Sequence, residues 1–94
     1  TPLIISRPQP NDALVALCAQ ARAAGRTVAF DTNYRPRLWT DEATARDAFD
    51  RMWAATAVAL PSRDDEARLR PGETVEALFA RLAALGVREV ALKD

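Results

Sequence analysis

The sequence predicts an α/β fold in which a parallel, Rossmann-like sheet is flanked by helices, and three observations support this prediction. Short apolar runs alternate with longer amphipathic stretches in the order strand, helix, strand, helix, strand, helix, strand. Isolated glycines and prolines separate these stretches, as turns require. The connections between successive predicted strands are long enough for parallel crossovers. We therefore expect one sheet of four parallel strands.

Capping residues and glycines indicate where the helices begin and end. Asn11 or Asp12 can cap the first helix, and Thr40 is the expected cap of the second. Gly25 and Gly86 follow the predicted ends of the first and last helices. The predicted strands cover 3–6, 27–30, 57–60 and 89–93, and the predicted helices cover 13–24, 41–53, 63–69 and 74–85.

The composition excludes several classes of protein. Thirteen basic and thirteen acidic residues give a net charge of zero, so no overall field attracts nucleic acid or an anionic membrane. The apolar run at 54–60 is far shorter than the roughly 20 residues of a membrane span. With no histidine and one cysteine, the usual zinc sites are absent, and Cys18 fits a reducing compartment. We expect neither a nucleic-acid nor a membrane partner.

The 94 residues allow one domain at most, and we expect that domain to be incomplete. The chain begins at Thr1 without methionine and stops at Asp94, directly after a predicted strand. A sheet of only four strands would also leave two open edges, which natural proteins usually cover. The chain is therefore expected to be part of a larger sheet.

The polar segment after the second predicted strand is the first candidate site. Asp31, Asn33 and Arg35 alternate along an extended segment, so their side chains can project to one side. Strands of such sheets point their carboxyl ends at the binding crevice. Arginine suits a carboxylate or phosphate, while acid and amide suit hydroxyls, and Tyr34 is close enough to contact the same ligand. In the structural alternative, Asp31 caps the turn and Arg35 pairs with it or with Asp41.

Two further candidates follow the third and fourth predicted strands. Asp65 and Glu66 belong to an acidic run that could organise Mg²⁺ through water when a nucleotide phosphate is present. The alternative is an acidic first helical turn with Ser62 as cap. Lys93 could reach a phosphate or simply be solvated. The three glycines are isolated, so no glycine-rich phosphate loop is present and a complete nucleotide site is not expected.

Segment 29–39, AFDTNYRPRLW, and the preceding 21–26 closely resemble the mid-chain segment of 2-keto-3-deoxygluconate kinases in the ribokinase-like (PfkB) carbohydrate kinase family. Three other stretches resemble the family in order and spacing: 4–6, 60–66 and 90–93. The resemblance implies a cytoplasmic, homo-oligomeric parent protein that uses ATP and Mg²⁺ to phosphorylate 2-keto-3-deoxygluconate to its 6-phosphate. Its partners would be this small sugar acid and ATP.

The resemblance also implies roles for individual residues. Arg35 would contact the substrate and the phosphoryl group, Asn33 would line the same site, and Asp31 would support the loop. Lys93 is similar to the residue that opens the nucleotide strand and turn. The family's Asn-x-x-Glu element, which assists Mg²⁺ and phosphate, has Ser62 at its Asn position and either Asp65 or Glu66 at its Glu position.

The family's catalytic aspartate lies in a later Gly-Ala-Gly-Asp segment, and its glycine-rich substrate segment and lid lie earlier. Neither occurs in this sequence. The resemblance therefore implies that 1–94 is the central part of a ribokinase-like domain, without a catalytic residue and inactive in isolation. Two alternatives stay open: another sugar kinase of the fructokinase or ribokinase type, and a non-catalytic α/β binding piece.

Overall fold

The computed structural model describes residues 2–6 and 8–94 and contains one sheet of four parallel strands. The strands are β1 (Leu3–Ile5), β2 (Val28–Asp31), β3 (Val58–Leu60) and β4 (Glu89–Val90). The helices are α1 (Asp12–Ala23), α2 (Glu42–Ala54), α3 (Arg63–Leu69) and α4 (Val75–Ala84), with a short 3₁₀ helix at Pro36–Leu38. The predicted α/β class and the parallel pairing are confirmed.

The capping residues differ from the prediction at one helix. Of the two candidates for α1, Asn11 is the cap, and its side chain accepts a hydrogen bond from the Leu14 N–H at 2.9 Å. The cap of α2 is Asp41 and not Thr40, because the Asp41 carboxylate accepts from the Thr44 N–H at 2.7 Å. Both Thr40 and Asp41 carry a suitable side-chain oxygen, so the sequence pattern could not separate them.

The last strand is shorter than predicted. β4 covers only two residues, whereas the sequence predicted a strand over 89–93. Beyond it, Lys93 continues the alignment as an isolated parallel bridge to Ser62, and the Lys93 N–H donates to the Pro61 carbonyl at 2.8 Å. The backbone therefore still reaches the carboxyl edge of the sheet next to β3.

One face of the sheet holds the core. Phe30, Ala59 and Val90 are aligned across β2, β3 and β4, and paired residues of parallel strands point to the same face. All three belong to or pack against one cluster that also contains side chains from all four helices. The helical members are Cys18, Ala21, Ala45, Phe49, Met52, Trp53, Leu69, Leu78 and Leu82.

The opposite face is largely open, whereas the sequence led us to expect a doubly wound or similar arrangement with helices on the sheet faces. Ile4, Ala29 and Val58 are aligned on this face, and Ile4 is 67% exposed. The cause is the strand order: strands that follow chain order with right-handed crossovers place every helix on the same side. None of the helices in the described residues is long and apolar enough to span a membrane.

Aromatic packing fixes the end of β2 against α2. The Phe30 ring lies 4.8 Å from the Trp53 ring and 5.9 Å from the Phe49 ring, measured between centroids. Tyr34, beyond the end of β2, meets Phe49 edge to face at 5.8 Å. Such aromatic pairs add to the stability gained by burial. The segment that leaves β2 is therefore anchored to the core at two points.

Candidate functional site

Residues at the carboxyl ends of β2, β3 and β4 contact one another through side chains and backbone. Asp31 ends β2, Ser62 follows β3, and Lys93 follows β4. The Lys93 ammonium forms an ion pair with the Asp31 carboxylate across the end of β3. Both side chains are about one-third exposed, so the pair lies at the surface of this edge. The structure thus brings together Asp31 of the first candidate site and Lys93, which the sequence analysis treated as a separate candidate.

Residues 32–39, here called the site loop, continue from β2 in an alternating pattern. Thr32 and Tyr34 are each 5% exposed and belong to the buried side of the segment. Asn33 is half-buried and Arg35 is exposed. The predicted alternation is therefore present, with Asn33 and Arg35 on the side that faces away from the core.

The site loop carries two exposed arginines, Arg35 and Arg37, and Arg35 is the one that belongs to the predicted alternating pattern. Its guanidinium has no hydrogen-bond or ion-pair partner within 2–6 and 8–94. The structural alternative paired it with Asp31 or Asp41, but Asp31 pairs with Lys93 and Asp41 caps α2. No described residue thus occupies its five donors, which form a planar fork suited to a carboxylate or phosphate.

Gln9, in the connection between β1 and α1, was not identified by the sequence analysis. Its side-chain Nε2 donates to the Asn33 carbonyl, and its Oε1 accepts from the Arg35 N–H at 3.1 Å. The same Oε1 accepts from the Trp39 indole Nε1–H at 2.9 Å. A lone glutamine between two prolines matches no motif. The flanking prolines, which restrict the backbone, are the one local signal that marks it.

The two carboxylates proposed for the metal point in different directions. The Asp65 Oδ2 accepts from the Tyr34 N–H at 3.2 Å, so Asp65 lies against the site loop. Glu66 is 6% exposed, and its Oε1 accepts from Arg81 of α4 at 2.8 Å. Ser62 caps α3, with the Asp65 N–H at 3.4 Å from its Oγ. Of the two registers, the one that assigns Asp65 is compatible with a group at the carboxyl edge.

Glu66 belongs to an ion-pair cluster whose members lie on α2, α3 and α4 and in the connection before α4. Arg81 donates to Glu66, to Glu73 and to Asp50, each at 2.8 Å, and its own side chain is 18% exposed. Burial raises the pKa of the Glu66 carboxyl, and the positive charge of Arg81 opposes that shift. The second oxygen of Glu66, Oε2, has no hydrogen-bond partner among the described residues. The cluster therefore joins α4 to both α2 and α3.

The ring of Tyr34 lies in the core and not in the open part of the site. It packs against Phe49, and burial, with a smaller effect of the Glu42 charge, raises the pKa of its hydroxyl. Its backbone N–H binds Asp65. Tyr34 thus fastens the site loop at two points, and its predicted contact with a substrate stays a prediction.

The residues at this edge fit a phosphate group with an associated metal better than a bare metal ion. No group of three or more potential Asp, Glu, His or Cys ligands forms in the part of the chain that the structure describes. Arg35 and Lys93 supply positive charge suited to phosphate oxygens, and Asp65 supplies one carboxylate nearby. A Mg²⁺ ion here would need phosphate oxygens and water as its remaining ligands.

Known proteins with similar sequences share one activity name. No family model matches the chain. It is 37% identical over 91 residues to the 2-dehydro-3-deoxygluconokinase of Escherichia coli (strain K12), which covers 97% of the chain and 29% of that relative. It is 39% identical over 80 residues to the 2-dehydro-3-deoxygluconokinase of Dickeya dadantii (strain 3937), covering 85% of the chain and 26% of the relative. The chain therefore spans less than a third of the curated relatives that it matches.

Solved structures show the same fold at similar coverage. A PfkB protein from Polaromonas sp. JS666 superposes with a TM-score of 0.78 at 32% identity, over 87% of the chain and 28% of that structure. An E. coli protein described as ribokinase II, solved in complex with ATP and Mg²⁺, superposes with a TM-score of 0.67 at 30% identity. That match covers 87% of the chain and 26% of the structure. In both cases the chain corresponds to about a quarter of a sugar-kinase-like structure.

Proposed function

Because this chain belongs to the ribokinase-like (PfkB) family of carbohydrate kinases, we propose that the protein of which it forms a central segment transfers a phosphoryl group from ATP to 2-keto-3-deoxygluconate. The product would be the 6-phosphate, and the reaction would take place in the cytoplasm. The identity to relatives that carry this activity name supports the substrate. The observation that carries the proposal in the structure is the exposed guanidinium of Arg35, which has no partner among the described residues.

Arg35 would bind the sugar acid and stabilise the phosphoryl group during its transfer. A guanidinium can hold a carboxylate through two parallel hydrogen bonds, which distinguishes a sugar acid from a neutral sugar. The phosphoryl group in transfer carries charge on its equatorial oxygens, and a fixed cation next to them lowers the barrier. Asn33, half-buried and on the same side of the site loop, would bind hydroxyls of the substrate.

Asp65 and Lys93 would serve the nucleotide side of the site. MgATP, when bound, supplies the phosphoryl group and the metal charge that screens it. Lys93 would hold phosphate oxygens while Asp31 keeps its ammonium at the carboxyl edge. Asp65 would accept hydrogen bonds from water around the metal, with the site loop fixed through the Tyr34 N–H. The base that accepts the proton of the attacking hydroxyl lies outside these 94 residues in our proposal.

A substrate panel tests the proposed function. The full-length protein is assayed for ATP consumption with 2-keto-3-deoxygluconate, fructose and ribose in turn. We expect the highest kcat/KM with the keto sugar acid, because Arg35 offers a partner to its carboxylate. A preference for fructose or ribose would contradict the proposed substrate and indicate another type of sugar kinase. No turnover of any of the three would contradict a kinase function.

A further inference from the structure

We propose that Gln9 is a positioning residue that fixes the backbone at Arg35 and thereby aims the guanidinium at the ligand. Gln9 lies in the connection that follows the end of β1, and it carries no charge for substrate or phosphate. Its role is inferred from its three hydrogen bonds to the site loop. The effect on catalysis rests on the proposed function, whereas the effect on the loop does not.

The hydrogen-bonding capacity of the Gln9 side chain is used almost completely on one loop. A glutamine amide has two donor hydrogens and an oxygen with two lone pairs. The oxygen accepts from the Arg35 N–H and from the Trp39 indole, and the nitrogen donates to the Asn33 carbonyl. These partners lie 24 to 30 residues further along the chain. One side chain thus binds the site loop at its beginning, its middle and its end.

The hydrogen bond from the Arg35 N–H to Gln9 is the one that affects the direction of the Arg35 side chain. Arg35 is extended, with φ −117° and ψ 95°, and it precedes the 3₁₀ helix Pro36–Leu38 as its N-cap without a side-chain cap. Among the residues that the structure describes, Gln9 is the acceptor for its N–H, at 3.1 Å. The Asn33 carbonyl belongs to the peptide before Tyr34 and the Arg35 N–H belongs to the peptide after it, so Gln9 holds both peptides that lead to Arg35. Together with the φ of Arg35, the second peptide sets the direction of its Cα–Cβ bond.

The three hydrogen bonds between Gln9 and the site loop are here called the brace. The prolines beside Gln9 lower the entropy cost of forming it. Pro8 and Pro10 restrict the backbone on both sides of the glutamine, so little freedom remains to be lost when the side chain binds the loop. Trp39 is also held by packing, with its ring 6.0 Å from that of Phe49. Loss of Gln9 should therefore loosen the part of the loop around Arg35 more than the part around Trp39.

The kinetic test is a double-mutant cycle in the full-length protein. Gln9→Ala should lower kcat/KM for 2-keto-3-deoxygluconate by about 10- to 100-fold, the scale of a small misplacement of a catalytic group. In an Arg35→Ala background the same substitution should change kcat/KM by about twofold or less, because it acts through Arg35. Gln20→Ala, an exposed glutamine on α1, is the matched control and should leave activity unchanged.

A conservative variant adds a second kinetic check. Gln9→Glu keeps oxygens that can accept from the Arg35 N–H and the Trp39 indole, but it loses the donor to the Asn33 carbonyl and adds a negative charge. We expect it to retain more activity than Gln9→Ala. Equal losses from Gln9→Ala in the wild-type and Arg35→Ala backgrounds would overturn the proposal, and so would full activity of Gln9→Ala.

Hydrogen exchange measures the brace without any turnover. The Arg35 amide and the Trp39 indole N–H should exchange at least about tenfold faster in Gln9→Ala than in the wild type, as expected when a protecting bond is lost. Gln20→Ala should leave both rates unchanged. Unchanged exchange in Gln9→Ala would overturn the proposal even in an active kinase. Faster exchange in a protein without kinase activity would support the brace and contradict only the proposed function.

Discussion

Arg35 and Arg81 show how surroundings give one type of side chain two different roles. Arg81 is 18% exposed and donates to Glu66, Glu73 and Asp50. Arg35 is exposed, and no described residue binds its guanidinium. A partly buried arginine that is surrounded by carboxylates stabilises the fold, whereas an exposed arginine in the site loop is available to an anion.

Replacing Arg81 tests the structural role. Arg81→Met leaves Glu66 and Glu73 without their cation, while Asp50 keeps its ion pair with Arg70. Removing one partner of a buried ion pair costs about 3–5 kcal/mol. Urea denaturation of the full-length protein should show a loss of stability on this scale. Arg26→Ala, which alters an exposed arginine before β2, is the control and should change the unfolding free energy by about 0.5 kcal/mol or less. Similar stabilities of the two variants would contradict the role of the cluster.

Glu66→Gln tests the effect of burial on this carboxyl. Burial raises the folded-state pKa of Glu66 above its ordinary value of 4.5, so the folded state holds this proton more tightly than the unfolded state. Stability from this group is therefore greatest below pH 4.5 and declines as the pH rises through the raised pKa. The stability of Glu66→Gln relative to the wild type should increase from pH 4.5 to pH 8, measured as the difference in Tm. A difference that falls with pH would contradict the assignment.

At the level of the elements, side-chain caps set where the helices begin. The Thr74 hydroxyl accepts from the Ala77 N–H at 3.1 Å at the start of α4, the helix that carries Arg81. Thr74→Ala should lower the unfolding free energy by about 1 kcal/mol, as expected for the loss of such a cap. Thermal denaturation measures the change. Thr27→Ala, at an exposed threonine outside the helices, is the control, and an equal loss in both variants would contradict the capping role.

The sequence predicted those parts of the site that depend on local pattern. The alternation of Asp31, Asn33 and Arg35 follows from the period of an extended chain, and strand ends could be located from apolar runs. Gln9 could not be found in this way, because its partners lie 24 to 30 residues away and are brought to it by the sheet. The sequence also could not predict the directions of the Asp65 and Glu66 carboxylates, because these depend on how α3 is rotated about its axis.

The sequence also predicted the parallel sheet but did not specify that one of its faces stays open. Strand order is a property of the whole molecule, since each crossover must choose the side on which the next strand is added. The apolar positions of β2 and β3 occur on both faces, as in sheets that are covered twice. Ile4 and Val58 are therefore exposed or half-buried only because no described helix covers their face.

For the whole molecule, we expect residues 1–94 alone to lack kinase activity. The edge of the sheet supplies groups that bind charge, but in our proposal the catalytic base lies elsewhere. The isolated chain should consume no ATP above background with 2-keto-3-deoxygluconate, while the full-length protein turns it over. The full-length protein at equal concentration is the positive control. Turnover by 1–94 would show that the chain itself contains the base.

The central claim is that Arg35 acts on the substrate, and one kinetic comparison tests it most directly. The kcat/KM for 2-keto-3-deoxygluconate is measured for the full-length wild type, for Arg35→Ala and for Arg26→Ala, whose arginine is exposed at the opposite end of β2. We expect Arg35→Ala to lose about 10²-fold or more, the scale for removal of a charge-stabilising donor, and Arg26→Ala to match the wild type. Equal activity of Arg35→Ala and Arg26→Ala would contradict the account.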